Sequence, residues 1–182
     1  CALPISLEIT NGITALSKAA YTVGSFLSNK EVYFEATILI DDISDVTEMG
    51  MGWRKAEAYQ AAVDDYDEMA SFNVGQDGDG QIEIHTILNG AATTETDTTE
   101  TDWADGKAYR LRIEVKNNGK CKFLISAAAA TAAAAELLTL AEPTVTAAFT
   151  FDSGEVIVPF LFLDTESGNP GVSVSKWEVG YM

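Results

Sequence analysis

The residues best suited to acid–base chemistry lie on one alternating stretch, from Gln81 to Leu88. Glu83 and His85 are two positions apart, so a strand would place both side chains on one face. Glycoside hydrolysis needs a pair of carboxyl groups, and the strand carries no second carboxylate. A Ser-His-Asp relay would have to use His85, the only histidine, and no Gly-x-Ser-x-Gly motif accompanies it. We therefore predict no catalytic residue and interpret His85 as a solvent-facing strand residue.

Clustered aspartates are the pattern that hard cations prefer. Asp77-Gly78-Asp79-Gly80 resembles the start of a calcium loop, but Gly75 stands where the first ligand belongs and no glutamate closes the loop. A plain turn is the favoured interpretation. Asp41, Asp42 and Asp45 are likewise interpreted as a solvated turn. Because the chain also lacks metal-spaced Cys and His residues and a phosphate-binding glycine loop, we predict no metal and no cofactor.

The tryptophans and cysteines are interpreted as structural. Trp53, Trp103 and Trp177 could stack on sugar rings, but apolar alternation around them favours core or interface positions. Two cysteines make no disulfide framework, and Cys121 is expected to be a small buried hydrophobe. Three origins stay open for Cys1: removal of Met, trimming of a precursor, or the lipid-bearing first residue of a lipoprotein, for which no signal segment is present.

The composition indicates one globular domain. The chain has 182 residues, of which 47% are hydrophobic and 21% charged. Its net charge of -17, from 28 acidic and 11 basic residues, repels phosphate backbones, so no nucleic-acid partner is expected. This charge suits solubility, and an acidic surface that meets a basic partner or cations is the alternative. No apolar run has the length of a transmembrane helix, and no membrane partner is expected.

A hairpin from Tyr109 to Ser126 is the strongest structural signal. Apolar residues occupy alternate positions from Tyr109 to Val115 and again from Cys121 to Ile125, with Asn117-Asn118-Gly119 between them. Such a turn accepts positive φ angles. A hairpin with one apolar face must lie against a second sheet, so the pattern predicts a β-sandwich.

Further alternating stretches extend this sandwich to roughly ten to twelve strands. They cover residues 32–40, 49–53, 69–74, 81–88, 91–101, 147–151, 156–163 and 172–182, with a short strand around 21–27. Pro159 suggests an edge position or a bulge. The spacing of Tyr59, Val63 and Tyr66 predicts one short helical insertion over residues 56–66. The alanine run 127–135 is open between helix and loop.

We expect residues 1–30 to form an N-terminal arm with an edge strand and residues 31–182 to form a single sandwich domain. The order of features in residues 30–182 resembles the concanavalin A-like jelly roll of lectins, glucanases and laminin-G-type domains. The segments that carry the resemblance are Val32–Ile38, 78–82 with Thr86 and Asn89-Gly90, 105–113, 118–125 and Trp177–Tyr181. It implies an all-β jelly-roll β-sandwich.

The last two predicted strands indicate a more specific resemblance within this fold. Residues 156–160 and 172–181 resemble versions of this fold in tailed-bacteriophage virion proteins. That likeness implies a non-enzymatic capsid decoration (cement) subunit on the outer capsid surface of the virion, a homotrimer bound to the major capsid protein. The alternative function is a lectin-like carbohydrate-binding module on a virion or cell surface.

Overall fold

The computed structural model describes residues 7–9, 21–24, 31–44, 46–74, 80–165 and 171–182. Regular structure in these residues is almost entirely strand. The strands are β1 (Leu7–Ile9), β2 (Tyr21–Thr22), β3 (Val32–Asp42), β4 (Val46–Lys55), β5 (Met69–Val74), β6 (Ile82–Ile87), β7 (Thr94–Asp97), β8 (Lys107–Val115), β9 (Cys121–Ile125), β10 (Val156–Thr165) and β11 (Gly171–Tyr181). A helical turn α1 (Ala132–Ala135) and a 3-10 turn (Val63–Asp65) complete the elements. None of the described helices could span a membrane.

These strands form two antiparallel sheets, as the sequence predicts. The larger sheet has the order β1-β10-β4-β5-β6-β7, with β2 also paired to β10, and the smaller has the order β11-β3-β8-β9. The β8–β9 hairpin closes as expected, with Gly119 at a φ of 85°. Asn89 and Gly90 both have positive φ, at 54° and 65°, and the chain reverses there from β6 to β7.

The core lies between the two sheets and consists of the alternate residues that face inward. The smaller sheet contributes Phe34, Ile38, Leu111 and Phe123, and the larger contributes Met51, Trp53, Phe72 and Ile84. Phe72 and Phe123 meet edge to face across the sandwich at 5.7 Å between ring centroids. The Trp53 indole N–H donates to the Ile113 carbonyl oxygen at 3.2 Å, which ties β4 to β8. Both interactions pin the sheets at a fixed spacing.

Of the helix predicted over residues 56–66, only the 3-10 turn Val63–Asp65 forms. Apart from the bond from the Asp65 N–H to the Ala62 carbonyl in this turn, the backbone bonds of the segment do not follow a helical pattern. The Ala56 N–H donates to the Val156 carbonyl, and the Val63 and Asp67 N–H groups donate to the carboxylates of Glu48 and Glu57. A helix this short gains little from its own hydrogen bonds, so these contacts determine its conformation.

Two other segments, the alanine run 127–135 and residues 147–151, contain little regular structure. The alanine run is mostly loop, with the single helical turn of α1 capped by the Thr131 hydroxyl. It packs Ala129 and Ala135 onto Ala108, on the outer face of the smaller sheet. The strand predicted over 147–151 forms only one bridge, between Lys120 and Thr150. Phe149 and Phe151 enter the core there, so the apolar pattern was correct and the element type was wrong.

Pro159 lies inside the larger sheet, within β10, and not at its edge. It pairs with Trp53 on the β4 side. On the other side, β2 pairs with residues 156–157 and β1 with residues 161–163. Among the described residues, the proline therefore falls between these two short partners, where a missing N–H costs no ladder bond.

Glu35 forms a charged cluster with three basic side chains on the outer face of the smaller sheet. Its carboxylate is 2% exposed and contacts Arg110, Lys176 and Arg112 at 2.8, 2.9 and 3.2 Å. The Arg112 guanidinium also lies 3.8 Å from the centroid of the Tyr33 ring. Burial would raise the pKa of Glu35, but the hydrogen bonds from its three cations outweigh it and lower the pKa to about 2. The Glu35 carboxylate therefore holds β3, β8 and β11 together.

We expect Glu35→Gln to lower the free energy of unfolding by about 2–4 kcal/mol at pH 7, because three partly buried cations lose the buried carboxylate that they share. The Glu35 carboxylate contributes fully above its unfolded pKa of 4.5, and its contribution is lost as pH falls through about 2. The difference between wild type and variant should therefore shrink below pH 4.5. Urea titrations across this range measure it.

Glu142→Gln is the matched control, since that carboxylate is 56% exposed and lies 3.7 Å from Lys122. It should change stability by less than about 0.5 kcal/mol. A Glu35→Gln loss as small as that of the control, or one independent of pH, would contradict the structural role of Glu35.

Candidate functional site

The outer face of the larger sheet carries the residues with the most ligand-binding capacity. Register and alternation place three cross-strand rows on this face. Glu48 lies opposite Asp164, Gly50 lies between Phe162 and Asn73, and His85 lies between Ser71 and Glu95. The face is thus acidic at the β4–β10 margin, apolar beside it, and polar at the β6–β7 margin.

The apolar part is covered by residues 56–66, which follow β4 and form the covering segment. Val63 and Tyr66 pack there in a cluster separate from the core. The other members of this cluster are Met69, Ile87, Phe160 and Phe162. Gly50 makes the approach possible, because a Cβ at this position would lie 2.9 Å from Val63 Cγ2. The covering segment therefore packs on the sheet only because β4 has a glycine at position 50.

Tyr59 is the exposed aromatic residue of this segment. Its ring stacks on Phe162, with centroids 6.4 Å apart and planes inclined by 16°. The residue is 52% exposed. Phe162 therefore holds the tyrosine ring parallel to its own ring, and much of the tyrosine stays open to solvent.

An open acidic pocket lies one cross-strand row from Phe162. Its volume is about 310 Å³, at the lower end of the range for small-molecule sites. Thr47, Glu48, Ala62, Asp64 and Asp164 line it. One oxygen of Glu48 accepts the Val63 N–H at 3.0 Å. This bond fixes the carboxyl group at the junction between the covering segment and β4.

Glu48 is electrostatically unusual among these carboxyl groups. Its pKa is raised to about 7. Burial is the main cause, the hydrogen bond from the Val63 N–H opposes it, and the nearby Asp64 and Asp164 charges add to it. Near neutral pH the group is therefore divided between carboxyl and carboxylate. It can donate a hydrogen bond in one form and accept it in the other.

The structure gives Glu83 and His85 a different environment from the predicted one. They share a face as expected, and the His85 Nε2 lies 2.7 Å from a Glu83 carboxylate oxygen. His85 is completely buried, however, so its interpretation as a solvent-facing residue is wrong. Glu83 and Glu95 lie beside the ring on the same face of the sheet, and the cover that they provide across strands is not visible in an alternation pattern.

The other predicted positions fall into four groups. Asp41 and Asp42 are exposed, and Asp42 caps the turn by accepting from the Ser44 N–H at 3.0 Å. Trp53 and Trp103 are buried, and Trp177 packs on the core, so the tryptophans are structural as predicted. The positions 45, 75–79 and Cys1 lie outside the described residues. Cys121 is buried as predicted, and burial raises the pKa of its thiol.

The sequence alone did not single out the pocket residues. Tyr59 was placed on a helix face that packs on the sheet, and its half-exposed platform depends on Phe162, about a hundred positions away. Glu48 and Asp164 meet only because β4 pairs with β10. The sequence feature that could have indicated the pocket is Glu48, which lies two residues before Gly50 and therefore on the same face of the strand.

Comparisons with known proteins find only remote structural likenesses. No protein-family model matches the sequence, and no curated protein matches it either. Chicken galectin 2 matches at 12% identity and a TM-score of 0.47, over 95% of this chain and 97% of that chain. Galectin-Ib of Xenopus laevis matches at 12% identity and a TM-score of 0.49, over 97% of this chain and all of that chain, 100%.

An alginate lyase from Pseudomonas aeruginosa matches at 13% identity and a TM-score of 0.46, over 85% of this chain and 66% of that chain. Likenesses at these scores carry no information on ligand or activity. The two antiparallel sheets define the class of this protein, which is an all-β sandwich.

The raised pKa of Glu48 predicts a pH-dependent gain from Glu48→Gln. The folded pKa of about 7 exceeds the unfolded value of 4.5, so ionisation costs stability as pH rises between them. A glutamine keeps an acceptor for the Val63 N–H without the charge. We expect a gain of about 1–2 kcal/mol at pH 8.5, after allowance for partial exposure, and no gain at pH 4. Equal effects at both pH values in urea unfolding would contradict this assignment.

Proposed function

We propose that this protein is a non-enzymatic, lectin-like carbohydrate-binding module. A glycan would bind at Tyr59 and the adjacent pocket of Glu48, Asp64 and Asp164. The observation that carries the proposal is the half-exposed Tyr59 ring, held flat on Phe162 beside an open pocket of carboxyl groups. An apolar platform beside a few convergent polar groups is the usual composition of a small-ligand site.

The platform can recognise the apolar face of a sugar ring. Tyrosine combines a large apolar ring with a polar tip and loses little conformational entropy on binding. The side chain of Tyr59 is already restricted in the free protein, because its ring stacks on Phe162. A sugar that stacks on it therefore meets a surface that is largely pre-organised.

The carboxyl groups select for hydroxyl-rich, uncharged ligands. Ionised carboxylates accept hydrogen bonds from hydroxyl groups, and Glu48, with its pKa of about 7, can also donate. Asp64 and Asp164 would repel an anionic sugar, as would the net charge of -17. We therefore expect neutral glycans to bind and uronic-acid or sulfated glycans to be rejected.

Binding without turnover is supported by the role of Glu48 in the fold. A glycosidase needs one carboxyl group free to protonate the leaving oxygen and a second to attack or to activate water. One oxygen of Glu48 is engaged with the Val63 N–H. The group is therefore tied to the covering segment, and a positioning role for it accounts for its burial.

A glycan array followed by calorimetry tests the proposal. We expect selective binding to neutral glycans, and a loss of about fivefold or more for Tyr59→Ala, because a stacking contact is worth roughly 1 kcal/mol or more. Tyr181→Ala is the matched control, since Tyr181 is 44% exposed and lies on the smaller sheet. It should bind as wild type does.

Three outcomes would overturn the proposal. They are an array without binding above background, with or without calcium; affinity unchanged by Tyr59→Ala; and equal loss from Tyr181→Ala. Release of reducing ends by the wild type that Glu48→Gln abolishes would replace binding with hydrolysis.

Capsid decoration, which the resemblance implies, is a second proposal. It is favoured by β11, an 11-residue strand whose outer edge has no partner among the described residues. Val174, Tyr181 and Met182 are exposed there. Such an edge can pair with another chain, as a homotrimer on the major capsid protein at the virion surface would require.

Density-gradient purification of particles tests this second proposal. A decoration subunit should co-sediment at a fixed copy number relative to the shell protein. Val174→Lys on the β11 edge should reduce that copy number, because a charged edge strand opposes pairing. A wild-type protein that stays in the soluble fraction would rule the role out.

A further inference from the structure

Three potential metal ligands converge at the β6–β7 margin of the larger sheet. Glu83 and His85 lie two residues apart on β6 and therefore on one face. Glu95 on β7 lies directly opposite His85 in the register. Side chains at such positions have their Cβ atoms roughly 5 Å apart, so the strand pairing itself brings the three together.

Their donor atoms form a compact set. One oxygen from each glutamate and one imidazole nitrogen all lie within 4.8 Å of one another, and the His85 Nε2 is 2.7 Å from Glu83. Donor atoms around an ion held at about 2.0–2.2 Å are roughly 3–3.6 Å apart. Small side-chain rotations would therefore bring all three onto one ion.

Burial and charge indicate that this set is more than an exposed acidic patch. His85 is fully buried, Glu83 has a side chain 14% exposed, and Glu95 is exposed. The imidazole thus forms the floor, and the solvent side stays open for further ligands. Among the described residues, no Lys or Arg pairs with either glutamate.

The buried imidazole also has hydrogen-bonding capacity that the sheet does not use. Its Nδ1 has no partner among the described residues. A buried ring nitrogen without a partner is energetically unfavourable. Ser71 lies directly opposite His85 on β5 and donates its hydroxyl to Asn73, which leaves the Ser71 oxygen available as an acceptor. In a metal-bound state, a hydrogen bond from Nδ1 to this oxygen would orient the histidine.

We propose that Glu83, His85 and Glu95 bind one divalent transition-metal ion, with Zn²⁺ as the expected ion. A nitrogen donor with two carboxylates suits Zn²⁺, Mn²⁺ and their neighbours, whereas Ca²⁺ and Mg²⁺ prefer oxygen ligands only. The site lies at the opposite margin of the sheet from Tyr59. Metal binding therefore does not depend on the proposed glycan site.

Titration of the full, untagged, chelator-treated chain with ZnCl₂ tests the proposal by calorimetry. We expect one ion per chain with micromolar or tighter affinity, and much weaker binding of CaCl₂. Glu95→Gln should weaken Zn²⁺ at least about tenfold, and because Glu95 is exposed the variant should fold. Glu142→Gln, which removes one exposed carboxylate elsewhere, should bind as wild type does.

The single histidine gives a second readout that does not depend on any variant. The ring ¹H–¹⁵N signals of His85 should shift on saturation with ZnCl₂ and should be broadened by MnCl₂. Unmoved ring signals would overturn the proposal, as would absence of measurable Zn²⁺ binding or equal affinity in Glu95→Gln. Tyr59→Ala should retain metal binding, so failure of the glycan proposal and failure of this one give different results.

Discussion

Burial of two apolar sheet faces against each other is the interaction on which the rest of the structure depends. Each sheet alone would expose one apolar side, and a single layer has no means to cover it. Phe72 and Phe123 meet across the interface, and the Trp53 indole spans it to reach the Ile113 carbonyl. Once the inner faces are joined, each outer face is free to carry a different cover.

The two outer faces use that freedom in different ways. On the smaller sheet, Glu35 gathers Arg110, Arg112 and Lys176, and the alanine-rich loop packs beside them. On the larger sheet, a segment anchored by Val63 covers only the middle of the face. The smaller sheet is thus closed by charge pairing, whereas the larger one keeps two open margins.

Charge separation between the faces follows from this arrangement. A chain of net charge -17 has only 11 basic residues, and several of them neutralise carboxylates on the smaller sheet. The open margins of the larger sheet are left acidic, with Glu48 and Asp164 at one end and Glu83 and Glu95 at the other. Margins rich in carboxyl groups favour hydroxyl donors and cations over anions, which is why both proposed ligands belong to those classes.

The two margins of the larger sheet also differ in the side chain that lies next to their carboxyl groups. At the β4–β10 margin an aromatic ring lies beside the carboxyl groups, and at the β6–β7 margin an imidazole lies beneath them. An aromatic platform suits the apolar face of a sugar, and a buried nitrogen donor suits a metal ion. The covering segment separates the two sites, so each can be tested without the other.

The local pattern of the sequence by itself determined most of the strands, the β8–β9 hairpin, the buried Trp53 and the all-β sandwich. Alternation with period two reports which side of a strand is buried, and the turn residues report where the chain reverses. Only the tertiary structure decided that residues 56–66 form a covering segment instead of a helix, and that His85 is enclosed. It also decided that Glu48 meets Asp164 and Glu95 meets His85. Those outcomes depend on which strands become neighbours, and residues distant in the chain carry no local record of that pairing.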